Sequence, residues 1–113
     1  MGNEGKGKLL RIYLNETKRL GDKSLYEAIV EKAFKHGLAG SMVFRGIEGA
    51  GFCCKTCRTQ IPSLTISKCQ PMVIEFIDTE EKISTLVPIL KKMVTAGAMV
   101  TMDAEVVHNV CES

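Results

Sequence analysis

Apolar and polar residues alternate in four stretches of the chain, as they do in half-buried β-strands. The stretches are Leu9–Leu14, Ser41–Ile47, Pro71–Ile77 and Ala98–Val107. The residues expected to face a core are Leu10, Ile12 and Leu14, then Met42 and Phe44, then Met72, Ile74 and Phe76, and finally Val100, Met102, Ala104 and Val106. The pattern therefore predicts four strands.

A first helix is predicted between the first two strands. Ser24 and Glu27 have the spacing of a capping box, and Gly37 suits the left-handed conformation that ends helices. The apolar stripe of this helix consists of Leu25, Ile29 and Ala33 with Tyr26, Val30 and Phe34 beside them.

A second helix is predicted between the last two strands, with Asp78 as its cap, Glu81 at the capping-box position and Gly97 at its end. Its apolar stripe consists of Ile83, Leu86, Val87, Leu90 and Val94. Because Pro88 removes one backbone hydrogen bond, we expect a kink or a shifted start rather than two separate helices.

The order strand, helix, strand, strand, helix, strand is that of the α+β, ferredoxin-like βαββαβ fold. This fold has a four-stranded antiparallel sheet with both helices on one face. Apolar residues also occur on the outward side of the last strand, among them Met99 and Val107. We therefore expect the uncovered face to pack against another copy of the chain in an oligomer. These residues do not determine the number of subunits.

Composition favours one small domain covering residues 1–113, with a flexible N-terminus at 1–7 and a tail at 108–113. The longest uncharged run is too short and too polar to cross a membrane. A net charge of +2 is too weak to indicate nonspecific nucleic-acid binding. The first residues lack the apolar stretch of a signal peptide and the five cysteines are an odd number, so we expect a cytoplasmic protein.

The second and third strands are separated by residues 48–70, a longer connection than is usual in a compact domain. Between Arg45 and Lys68 the chain carries four basic residues and one acidic residue, Glu48. The run GIEGAG at Gly46–Gly51 has the successive glycines of a backbone anion-binding nest, although a strand end needing glycine explains it as well. A basic, glycine-rich connection suits an anionic ligand, and a solvated loop is the alternative.

Several segments of the chain resemble the PII-like proteins classed as domain of unknown function one-ninety. They are LLRIYLNE at Leu9–Glu16, the stretch Ser24–Gly51, PMVIEFID at Pro71–Asp78, and the helix and strand up to about Val107. The run RGIEG at Arg45–Gly49 is the most specific part. The departures from the family pattern are Ala50, in place of an aromatic residue, and Cys69 with Gln70 before the proline.

The resemblance implies a homotrimer with its sheets inward, a nucleotide in the cleft between subunits, and a long loop that contacts an unknown target protein, for which a membrane protein is one option. The loop would become ordered when the nucleotide binds. The resemblance also implies that the small anionic effector is an adenine nucleotide, bound near the base of the loop. The candidate binding residues are Arg45, Gly46, Glu48, Gly49, Gly51 and Lys55. The glycines would donate backbone N–H groups, and Arg45 and Lys55 would supply charge.

Cysteines suggest an alternative function on the same scaffold. Cys53, Cys54 and Cys57 form C-C-x-x-C, and Cys69 is a fourth thiol that completes a tetrahedral Zn²⁺ or iron–sulfur set. A redox pair of Cys54 and Cys57, near the basic Lys55 and Arg58, is a further option. Inert loop thiols are the simplest interpretation of the same residues.

The leading hypothesis is a regulatory protein that binds a nucleotide and is not an enzyme. Glu75 and Asp103 are predicted to face away from the helices, but no neighbouring residue completes an acid–base mechanism. An RNA-binding domain is disfavoured because Phe44 and Phe76 share a predicted face with core residues. An acylphosphatase is disfavoured because the connection after the first strand is charged without being glycine-rich.

Overall fold

The computed structural model describes residues 4–47 and 70–110 of the chain. Its strands are β1 (Gly5–Asn15), β2 (Arg19–Leu20), β3 (Lys23–Ser24), β4 (Ser41–Arg45), β5 (Pro71–Asp78) and β6 (Ala98–Val106). Its helices are α1 (Leu25–Lys35), between β3 and β4, and α2 (Glu80–Met93), between β5 and β6.

Four strands form one antiparallel sheet in the order β4-β5-β1-β6, and β2 pairs with β3 in a short hairpin. The register places Ile12 of β1 opposite Ile74 of β5 on one side and Met99 of β6 on the other. The central strands β1 and β5 are the first and third strands of the sheet in chain order. This is the ferredoxin-like arrangement, and it confirms the predicted fold.

The core lies between the two helices and the face of the sheet that they cover, here called the helix face. Its buried members are Leu10, Ile12 and Leu14 of β1, Met72, Ile74 and Phe76 of β5, Leu25, Ile29 and Ala33 of α1, Ile83, Leu86 and Leu90 of α2, and Leu38. Burying one such large side chain stabilises the fold by about 1.5–3 kcal/mol. The predicted core residues of β1 and β5 are confirmed, whereas Phe34, predicted in the stripe of α1, is 79% exposed.

The helix starts differ from prediction in their caps. Ser24 precedes α1 as predicted, but its side chain accepts no capping hydrogen bond. α2 is capped by Thr79, whose Oγ1 accepts from the Lys82 backbone N–H at 3.3 Å. Asp78 does not cap this helix, because its buried carboxylate accepts from the backbone N–H groups of Ala39 and Thr79 instead.

The helix ends are partly as predicted. Gly37 follows α1 with φ +79°, the left-handed conformation expected of it. α2 continues through Pro88 as one helix. It ends at Met93, and the next residue, Val94, has non-helical backbone angles, so Gly97 lies beyond the helix and precedes β6.

Strand bounds correct the predicted ends of the sheet. β1 begins at Gly5 rather than Leu9, because Gly5 pairs with Val106 of β6. Residues 5–7 therefore belong to the sheet and not to a flexible N-terminus. β4 ends at Arg45, two residues before the predicted Ile47, and β6 ends one residue before the predicted Val107.

The other side of the sheet, here called the open face, corrects the predicted orientation of β6. Cross-strand partners share a face, and Leu9 and Arg11 pair with Met102 and Val100. The open face therefore carries Leu9, Arg11 and Tyr13 of β1, Met42 and Phe44 of β4, Val73, Glu75 and Ile77 of β5, and Ala98, Val100, Met102, Ala104 and Val106 of β6. The open face thus includes residues that were predicted to face the core, namely Met42 and Phe44 of β4 and Val100, Met102, Ala104 and Val106 of β6. Phe76 faces the core, as predicted.

Candidate functional site

The described chain leaves the sheet after β4 and returns to it at β5, and the two ends lie side by side. Gly46 donates its backbone N–H to the carbonyl oxygen of Pro71 at 2.9 Å. Glu16, directly after β1, donates its N–H to the carbonyl oxygen of Gln70 at 2.8 Å. We call this group the junction; it consists of Glu16, Arg45, Gly46, Gln70 and Pro71.

A two-pronged ion pair closes the junction. Arg45 Nε donates to Glu16 Oε1 at 2.8 Å, and Arg45 Nη2 donates to Glu16 Oε2 at 2.5 Å. These hydrogen bonds, with the attraction between the two opposite charges, lower the pKa of Glu16 and raise the pKa of Arg45. The Arg45 side chain remains 65% exposed and that of Glu16 26% exposed. The guanidinium is thus accessible from solvent while its charge is paired.

The turn after β1 holds Glu16 in place. Asn15 is 2% exposed, and its Oδ1 accepts from both the backbone N–H and the hydroxyl of Thr17, at 2.9 and 2.7 Å. Asparagine favours such turns because its side chain bonds the backbone two residues later. The Lys18 N–H also donates to the Asn15 carbonyl oxygen. Glu16 therefore projects from a turn that is fixed on both sides.

Gly46 has a structural role at the junction that argues against the one predicted for it. A Cβ at this position would lie 2.8 Å from Pro71 Cγ, closer than real side chains approach. Its N–H already bonds Pro71, so it is not free to donate to a phosphate. Arg45 is the predicted binding residue that the described structure places with an accessible, ligand-capable group.

The remaining predicted site residues lie outside the described part of the chain. These are Glu48, Gly49, Gly51 and Lys55 of the nucleotide set and Cys53, Cys54, Cys57 and Cys69 of the metal set. Within residues 4–47 and 70–110, no group of three or more His, Cys, Asp or Glu residues could hold a metal ion.

Glu75 and Asp103 do not form a carboxylate pair. Glu75 lies on the open face and accepts from Arg11 Nε at 2.7 Å. Asp103 lies on the helix face and pairs with Lys8 at 2.8 Å. The prediction that both carboxylates face away from the helices is therefore wrong for Asp103, because its register partner is Lys8.

The open face combines apolar side chains with one ion pair. Met42, Phe44 and Met102 are 59%, 47% and 44% exposed. Arg11 binds Glu75 among them, and hydrogen bonds to Tyr13 and to Glu75 raise the pKa of Arg11. A cavity of about 660 Å³ opens on this face, between β4, β5, β6 and the residues after β6.

Glu16 belongs to the site but was not predicted. Glu16 is 29 residues from Arg45 in the sequence. Its one sequence signal is its position directly after the first strand, in the segment LLRIYLNE.

Comparison with known proteins identifies the family. The model of the DUF190 family, described as "Uncharacterized ACR", matches residues 7–106. The chain belongs to this family. A relative of this DUF190 chain, the UPF0166 protein of Aquifex aeolicus, is 35% identical over 91% of this chain and 95% of its own length. The UPF0166 protein MJ1524 of Methanocaldococcus jannaschii is 28% identical over 84% of this chain and 85% of its own length.

Solved PII-like structures share the fold of this DUF190 chain. CPII from Thiomonas intermedia, in its complex with ADP, AMP and acetate, superposes with a TM-score of 0.65 at 15% identity, covering 95% of this chain and 94% of its own. A putative PII-like signaling protein from Thermus thermophilus gives 0.63 at 19% identity, covering 94% of each chain. Among the described residues of this chain, no helix is long and apolar enough to cross a membrane.

Proposed function

We propose that this DUF190 chain is a cytoplasmic, PII-like regulatory protein rather than an enzyme. It binds an adenine nucleotide at the junction, in a cleft between subunits of a homotrimer. It contacts a target protein through residues 48–70.

The accessible guanidinium of Arg45 at the junction carries this proposal. An arginine with several N–H donors suits a phosphate group better than a lysine does, because its planar fork contacts two oxygens at once. The basic residues between Arg45 and Lys68 add positive charge on the same stretch of chain. A protein of the same fold, CPII, has been crystallised with ADP and AMP.

The open face supports the oligomeric part of the proposal. Monomeric proteins rarely expose a continuous apolar face, and this one extends over all four strands of the sheet. Its charged members, Arg11 and Glu75, already pair with each other. A second copy could therefore cover the face without burying an unpaired charge.

Isothermal titration calorimetry with ATP, ADP, AMP and cyclic nucleotides tests nucleotide binding directly. Adenosine, which lacks phosphate, is the reference ligand. Arg45→Gln should weaken binding of the nucleotide by about tenfold or more, since a hydrogen bond to a charged group is worth about 1.5–3 kcal/mol. Lys6→Gln, at the opposite end of β1 from the junction, removes the same charge and should leave the affinity unchanged.

The nucleotide assignment would be overturned if no nucleotide bound, or if Arg45→Gln and Lys6→Gln lost the same amount of affinity. Analysis of the nucleotide after long incubation tests the non-enzymatic part, which predicts that ATP is recovered intact. A Zn²⁺ titration of the reduced protein in parallel separates the cysteine alternative. Binding of Zn²⁺ alone, lost on replacing Cys54 and Cys57 by Ser, would favour that alternative.

A further inference from the structure

We infer that Glu16 is a built-in competitor for the anionic ligand of Arg45, and that an effector binds by displacing its carboxylate. This inference rests on the proposed function and adds its regulation. Glu16 is then a positioning residue, which sets the affinity of the site by holding Arg45 while no ligand is bound.

The geometry of the ion pair is that of an occupied anion site. Both carboxylate oxygens of Glu16 accept from the guanidinium, one from Nε and one from Nη2. A phosphate group would use the same two donors in the same two-pronged manner. The two anions therefore compete for one edge of the guanidinium.

The pair is weak enough to exchange. Arg45 is 65% exposed, and ion pairs between exposed side chains contribute little because water screens them. A nucleoside diphosphate carries more than one negative charge, so it gains more from Arg45 than a single carboxylate does. Displacement of Glu16 then lowers the observed affinity of the nucleotide by a small factor rather than preventing binding.

Glu16 also links the two ends of the junction. Its side chain binds Arg45, which precedes residues 48–69, while its backbone N–H binds the carbonyl oxygen of Gln70, which follows them. Exchange of the carboxylate for an effector therefore changes the contacts of a residue bonded to both ends.

Calorimetric titration of ADP into wild type and Glu16→Gln tests the inference, because the amide retains the shape of the side chain without its charge. The variant should bind ADP about two- to fivefold more tightly, the factor that corresponds to an exposed ion pair. Glu31→Gln is the matched control: Glu31 of α1 pairs with Lys23 of β3 and Lys35 of α1, away from the junction, and its substitution should leave the affinity unchanged.

Nuclear magnetic resonance adds a measurement that a purely structural role of Glu16 would not change. In wild type, ADP should shift both the Arg45 Nε–H signal and the Glu16 backbone N–H signal.

Calorimetry of the double variant is a further test. In an Arg45→Gln background, the effect of the Glu16→Gln substitution on ADP affinity should disappear, because there is no guanidinium left to compete for.

The outcomes separate the inference from the proposed function. Equal ADP affinity in wild type and Glu16→Gln overturns the inference and leaves the proposed function standing. Weaker binding by Glu16→Gln also overturns it, since Glu16 would then support the ligand. Failure of both proteins to bind ADP, ATP, AMP and the cyclic nucleotides overturns both. Tighter binding in Glu16→Gln alone, with the Glu31→Gln control unchanged, supports the inference.

Discussion

At the scale of single residues, the junction requires glycine at position 46, because it leaves no room for a side chain there. Gly46 lies against the ring of Pro71, and its N–H bonds the Pro71 carbonyl oxygen. Any other residue must push the proline ring away or give up that hydrogen bond. The first glycine of the RGIEG run is therefore explained by close packing at the start of β5, independently of any ligand.

We predict that Gly46→Ala lowers the free energy of unfolding by about 1–3 kcal/mol, because the added methyl group overpacks against Pro71. Gly40→Ala is the control. A Cβ at Gly40 meets nothing within 4 Å, so that variant should be unchanged or more stable by about 0.4–1 kcal/mol. Urea unfolding of both variants measures the difference. Equal effects at the two positions would contradict the packing explanation.

A pH dependence follows from the pairing of Glu16. Its hydrogen bond with Arg45 lowers its pKa below the ordinary 4.5, so the unfolded chain takes up a proton at this group at higher pH than the folded chain does. The stabilisation is complete above the unfolded pKa and is lost as the pH falls through the folded pKa.

The difference in unfolding free energy between wild type and Glu16→Gln should therefore be largest near neutral pH and shrink in acid. Urea unfolding from about pH 7 down to about pH 3 measures this difference. In an Arg45→Gln background the pH dependence of the difference should be much smaller. A difference that grows as the pH falls would show that Glu16 is stabilised in its protonated form instead.

At the scale of elements, the caps of the two helices are unequal. Thr79 accepts a hydrogen bond from the backbone of α2, whereas Ser24 makes none with α1. α1 is held instead by the hairpin before it, since the Leu25 N–H donates to the Lys18 carbonyl oxygen. The same type of residue at the same position thus stabilises the two helices by different amounts.

We predict that Thr79→Ala lowers the unfolding free energy by about 0.5–1 kcal/mol, the low end for a lost cap because its hydrogen bond is long. Ser24→Ala should cost less, since no capping bond is lost. Chemical denaturation of both variants compares them. A larger loss in Ser24→Ala would mean that its side chain acts as a cap in solution.

Sequence patterns predicted the elements better than their orientation. Alternation places Val100 and Met102 on one side of β6, but it does not say which side meets the helices. In this sheet the apolar side of β6 lies on the open face, and its helix side carries Met99 beside the polar Thr101, Asp103 and Glu105, so apolar character pointed to the wrong side. For β1 the same reasoning was correct, because Arg11 and Tyr13 mark its open side.

The candidate site was less accessible to sequence reasoning than the fold. Arg45 was predicted from local charge and glycine content, which are visible in a short window of sequence. Its partner Glu16 is remote in the chain, and the sheet brings the two together. The predicted cap of α2 was wrong by one residue, because Asp78 and Thr79 are adjacent and both are common N-cap residues.

At the scale of the whole molecule, the two faces of the sheet differ in what covers them. The helices bury the helix face, and the open face exposes a continuous apolar surface around one internal ion pair. Exposing such an apolar surface to water costs free energy. Association with another copy removes that cost by burying the surface. The homotrimer that we propose would bury it.

We predict that wild type has a mass three times that of the chain by light scattering, and that Met102→Lys reduces it to a monomer. The reason is that a buried, unpaired lysine costs more free energy than the contact supplies. Thr101→Lys, on the neighbouring and exposed helix-face position of β6, is the control and should remain assembled. An unchanged mass for Met102→Lys would show that the open face is not the interface.

The junction also bears on how this chain can diverge. The bond from Gly46 to Pro71, with Glu16 bonded to both Arg45 and Gln70, ties together the two ends between which residues 48–69 run. The sheet therefore does not depend on that stretch to bring them together. Lengthening a connection whose ends are already held costs little free energy. Descendants of one ancestral gene can therefore exchange or extend these residues, and with them the partner contact that we propose, while the sheet and its core stay under unchanged selection.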